Sequence, residues 1–188
     1  MKDTLRLKKL VIAAVLIAVG LVLPFLTGQI QSIAKFISPM HIPALIAGLT
    51  LGPVYGAAVG FITPLLRNIL FGMPPVIIPT ALAMSFELCT YAVVTGLLYK
   101  QLLKVPALKK ASHLPAILIS MVVAMILGRC VGGAAQAIML NLNGKGYSFE
   151  TFVAAYFTGT ALGALIHIVI VPAVVIALEK AKLSCINQ

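Results

Sequence analysis

Three ionisable side chains, Arg67, Glu87 and Arg129, stand deep inside apolar stretches that carry almost no other charge. A charge in hydrocarbon costs roughly 3 kcal/mol on insertion scales, so it faces a cavity or a partner and marks function. Two cations against one anion leave one positive charge uncompensated. The chemistry on offer is capture of a small anion within a membrane.

Neighbours at helical spacing extend each charge into a stripe. Arg129, Gly133 and Gln136 share a face, and Gly132 and Gly133 would admit a ligand or a helix closely. Tyr156, Thr160, Gly163 and His167 form a second stripe; Thr80, Met84, Glu87 and Tyr91 form a third. Three such stripes on consecutive helices could line one cavity. Interhelical hydrogen bonding by Thr, Gln and Tyr is the competing explanation, and a purely structural pair competes for Arg67 and Glu87. From a rise of ~1.5 Å per residue, Arg67 lies roughly 8 Å, Glu87 roughly 12 Å and Arg129 roughly 16 Å below the outer helix ends. Similar depth predicts that Arg67 and Glu87 meet, and Arg129, with no second carboxylate, is the main anion partner. His41, between Pro39 and Pro43, reads as an interfacial histidine. His167 lies deeper and suits ligand contact and helix packing equally.

What positions these residues is a bilayer. Of the 188 residues 61% are hydrophobic and 10% charged, and the mean hydropathy is +1.12, too apolar for a soluble domain of this length. Apolar runs of this kind satisfy their backbone as helices, and the short alternating segments of a β-barrel are absent. The expected fold is one all-α membrane domain over residues 1–188 with six transmembrane helices. They are predicted at 10–26, His41–Leu51, 54–71, 80–103, 114–140 and 149–178, with Pro172 kinking the last. Residues 72–79 are too proline-rich for helix. Polar Gln29, Gln31, Ser32 and Lys35 mark the first connection.

The net charge of +10 gathers at segment ends: Lys2, Arg6, Lys8 and Lys9, the loop 100–110, and Lys180 and Lys182. That pattern reads as topology rather than a nucleic-acid patch. With six helices all three basic segments fall on one side, so both termini are expected in the cytoplasm. The first helix shows no cleavage site and reads as retained. Cys89, Cys130 and Cys185 show neither disulfide nor metal-ligand spacing. No cofactor or metal is expected, and there is no Walker A, H-E-x-x-H or G-x-S-x-G motif. The chain does not read as an enzyme.

The stretch Ser38-Pro-Met-His-Ile-Pro-Ala-Leu-Ile-Ala-Gly-Leu-Thr-Leu-Gly-Pro53, with Phe61-Ile-Thr-Pro-Leu-Leu-Arg67 and Met84-Ser-Phe-Glu87, resembles the S components of energy-coupling factor (ECF) vitamin transporters. The resemblance covers nearly the whole chain and is strongest to the riboflavin, folate and pantothenate group. It implies a bacterial plasma-membrane subunit that captures a vitamin outside the cell. Its partners would be a transmembrane coupling subunit and two ABC ATPases. The family's A-x-x-x-A docking pattern matches Ala14 and Ala18. The ligand site would occupy the outer halves of the fourth to sixth helices, where Glu87, Arg129 and Gln136 lie; Tyr91, Tyr156, Thr160 and His167 of the stripes, and Arg67 of the third helix, complete the candidate substrate-binding set. A net positive pocket without tryptophan suits pantothenate best, with folate or another vitamin as the alternative. Two readings of other classes stand beside it: an intramembrane enzyme using Glu87 and His167, and a structural membrane protein.

Overall fold

The computed structural model describes residues 2–27, 37–74, 77–105 and 113–186. The polar residues Gln29, Gln31, Ser32 and Lys35 and the end of the basic loop lie outside them. All regular structure among the described residues is helical: α1 Lys2–Val22, α2 His41–Leu51, α3 Pro53–Phe71, α4 Leu82–Leu102, α5 Leu114–Leu142, α6 Phe149–Tyr156 and α7 Ala161–Lys180. A 3-10 turn, Leu23–Thr27, extends α1, and a helical turn at Ile77–Ala81 leads into α4.

α4 is the hub, packing against α2, α3 and α5, while α1 covers α2 and α3 and α7 closes on α2 and α5. Five stretches are long and apolar enough to cross a membrane: Asp3–Phe25, Pro53–Phe71, Ile77–Leu102, Leu114–Leu142 and Phe149–Lys180. The short α2 is different. Its 11 residues are all buried, and at ~1.5 Å per residue it covers about half of a ~30 Å hydrocarbon core. It begins beside Glu87 and ends where the Cys185 amide donates to the Thr50 carbonyl at 2.7 Å. The close approach to α4 is made through Gly48, where any Cβ would lie 2.4 Å from the Ala92 carbonyl oxygen. Gly52, at φ +90°, turns the chain into α3.

Two expectations need correction. The first helix starts at Lys2, not near residue 10. Hydropathy marks its apolar stretch, yet lysine and arginine are good helix formers and their stems extend the helix beyond it. Lys8 Nζ reaches the Lys182 carbonyl at 2.7 Å and Lys9 stands over the Tyr55 ring at 5.8 Å. The last predicted helix is broken. α6 stops at Tyr156, Thr158–Thr160 forms a 3-10 turn, and α7 then runs through Pro172. Gly159 and the two threonines weaken the helix here: the Thr158 hydroxyl donates to the Ala154 carbonyl at 3.2 Å and that of Thr160 to the Tyr156 carbonyl at 2.7 Å.

Candidate functional site

The start of α2 packs against α4 and α7, and the break between α6 and α7 presents a carbonyl to Arg129 of α5. Non-helical backbone at membrane depth is tolerated where protein buries it or where it lines a cavity. Between these two features lies a buried polar cluster built from four elements. α4 supplies Glu87 and Tyr91, α5 supplies Arg129, α2 supplies His41, and α7 supplies His167. All are 9% exposed or less.

Glycines on α5 let α4 come this close. A Cβ at Gly128 would lie 2.0 Å from the Tyr91 ring, and one at Gly132 would lie 2.7 Å from Glu87 Cβ and 3.2 Å from the Tyr156 ring. The expected close approach at Gly132 and Gly133 is therefore made by side chains of α4 and α6, with Phe152 over Gly133. Glu87 Oε1 accepts from the Tyr91 hydroxyl at 2.9 Å and faces His41 Nε2 at 3.3 Å. The other His41 nitrogen, Nδ1, lies 3.2 Å from the Ser38 carbonyl. The His167 ring stacks on His41 at 5.7 Å, and its Nε2 reaches the same carbonyl at 3.2 Å.

Arg129 touches no carboxylate. Its guanidinium donates to the Thr160 carbonyl at 3.3 Å, which the helix break presents, and stands 5.9 Å from the Phe157 ring. Its charge acts on Tyr91 and His167. The ion pairs among the described residues are Arg6–Asp3, His41–Glu87 and His113–Glu179. At the rim, the Tyr156 hydroxyl donates to Gln136 Oε1 at 2.6 Å.

The sequence-predicted residues thus divide. Glu87, Tyr91, Arg129 and His167 come together, with Tyr156, Gln136 and Thr160 beside them. Arg67 does not join them, and its expected pairing with Glu87 is absent. Its guanidinium instead donates to the Leu21 carbonyl and packs against the rings of Phe25 at 5.1 Å and Phe71 at 5.6 Å. Similar depth did not imply a shared bearing around the bundle. Arg67 belongs to the junction of α1 and α3.

His41 is the residue that sequence reasoning misplaced. It is 5% exposed and touches every other member of the α4 and α7 part of the cluster. The signal was its place at the head of a helix too short to span the bilayer, which sets its first residue at mid-depth. On the adjacent face of α5 a groove of about 380 Å³ is lined by Cys130, Ala134, Ala137, Tyr147, Phe149 and Phe152. Burial raises the Tyr147 phenol above its ordinary pKa.

A sequence profile for the ECF transporter substrate-specific component matches residues 8–180. The chain belongs to this family of S components. Comparison with curated proteins and with solved structures returned no match. The S component is the substrate-specific, membrane-embedded part of a transporter. Ala14 and Ala18 lie on the exposed face of α1, while Ala13, Leu16 and Gly20 of the same helix face the bundle.

Proposed function

We propose that this S component captures a small carboxylated vitamin at its outer face, with pantothenate the best fit. Delivery would be driven by a coupling subunit docked on the Ala14 and Ala18 face and by two ABC ATPases. The observation that carries the ligand class is the charge balance of the cluster. Glu87, the carboxylate of the cluster, faces His41 Nε2 at 3.3 Å and accepts from the Tyr91 hydroxyl, so its close partners are His41 and Tyr91. Arg129 then remains as a buried cation with a backbone carbonyl and an aromatic ring for company. A substrate carboxylate supplies the missing charge.

Topology supports capture from outside. The described parts of the three basic segments gather at one end of the bundle: Lys8 reaches Lys182, and Glu179 Oε2 meets His113 Nδ1 at 2.8 Å. With that end in the cytoplasm, as positive-inside bias directs, the opposite end, which carries the turn at 143–148, faces outward.

The test is binding of a labelled vitamin panel by the purified chain, repeated with Arg129→Ala. A charge-assisted hydrogen bond contributes roughly 1.5–3 kcal/mol, so the variant should bind about tenfold to a hundredfold more weakly with an unchanged folded yield. Unchanged affinity would remove Arg129 from the site.

A further inference from the structure

We propose that His167 Nδ1 accepts a hydrogen bond from the substrate, so that the ligand is a carboxylate that also carries a hydroxyl or amide donor. This rests on the cluster being the substrate site and adds to it the second recognition element.

The proton positions follow from the Ser38 carbonyl. That oxygen can only accept, yet it faces His41 Nδ1 and His167 Nε2, each at 3.2 Å. Both nitrogens must therefore carry hydrogen. For His41 the remaining nitrogen faces Glu87. For His167 the remaining nitrogen, Nδ1, is buried and has no hydrogen-bond partner, in a side chain 1% exposed. A second proton there would add a buried cation within the field of Arg129, with Glu87 already engaged by His41 and Tyr91. Nδ1 thus presents a lone pair.

The tyrosine and threonine hydroxyls of the described cluster are engaged elsewhere. That of Tyr91 donates to Glu87, that of Tyr156 to Gln136 and that of Thr160 to the Tyr156 carbonyl. A buried acceptor without a donor is costly. A site that hydrogen-bonds a substrate hydroxyl also rejects the analogue lacking it strongly, because its own polar group is then left unpaired. Arg129 and His167 together read two features: a negative charge and a donor at a fixed distance from it. A plain carboxylate satisfies half of the site.

The experiment uses the full chain in lipid nanodiscs with pantothenate, biotin and folate as probes. Singly O- or N-methylated analogues of whichever binds complete the set. One methylation should cost about tenfold to a hundredfold in affinity, and His167→Phe should close that gap while Arg129→Ala still weakens both ligands. Histidine ¹⁵N spectra add a reading from the native chain, which has 3 histidines. Here an unprotonated ring nitrogen, assigned to His167 by its loss in His167→Phe, should move upfield on ligand addition. A gap that persists in His167→Phe, or a nitrogen that ligand leaves unmoved because a water already serves it, overturns the acceptor role and leaves the carboxylate site standing. Binding by none of the three, or binding indifferent to Arg129, overturns both.

Discussion

The pairing of His41 with Glu87, in place of Arg67 with Glu87, is the sharpest consequence of the structure. Replacing His41 by Phe keeps the ring stack on His167 and removes the nitrogen that faces the carboxylate at 3.3 Å. Replacing Glu87 by Met removes the other partner. At 3.3 Å, an effective dielectric of ~20 sets a ceiling of about 5 kcal/mol on the attraction of a fully charged pair. Desolvation and the retained Tyr91 bond reduce this, and charge-assisted hydrogen bonds are worth roughly 1.5–3 kcal/mol net. The expected coupling is therefore about 1.5–3 kcal/mol. His41→Phe alone should cost more than the double variant, because it leaves a buried carboxylate supported by Tyr91 alone. The assay is reversible unfolding of the purified chain in mixed micelles, for both singles and the double. A parallel cycle with Arg67→Met and Glu87→Met should be additive within ~0.5 kcal/mol, as for sites without shared partners. Coupling below that level for His41–Glu87, or an equal value for Arg67–Glu87, would refute the assignment of partners.

Gly128→Ala should destabilise the chain by about 1–3 kcal/mol despite alanine's higher helix propensity, and weaken ligand binding at least tenfold. The new Cβ would lie 2.0 Å from a fully buried Tyr91 ring, and a normal folded yield with normal affinity would count against the packing described. Arg67→Met should lower stability by roughly 1–3 kcal/mol through loss of the bond to Leu21 and of two ring contacts, and calorimetry should find vitamin affinity unchanged. Ala18→Trp should block co-purification with the coupling subunit and abolish uptake while the isolated chain still binds its vitamin. Loss of binding with an intact complex would reverse that division of labour.

Much of the fold was legible in the chain itself. Apolar runs bounded by basic residues located the long helices, because the bilayer imposes one length and one backbone solution on any spanning segment. The Gly52-Pro53 stop fixed the end of the short helix at Leu51, where the structure ends it. The break at 157–160 was not legible. Periodicity of side chains persists across a single disrupted turn, and Tyr156, Gly163 and His167 all remain buried.

The sequence by itself determined which residues were too costly to leave in lipid, and roughly how deep each lies, since burial cost and helical rise are local properties. Arg67, Glu87 and Arg129 were singled out on those grounds, and His167 by its place on a polar stripe. Partnership was decided only by the tertiary structure. Direction around a helix axis depends on the neighbours it packs against, and here α1 draws Arg67 away while α2, too short to span, carries His41 to the carboxylate. That exchange of partners takes Arg67 out of the cluster, while Arg129 has no carboxylate partner among the described residues under either pairing.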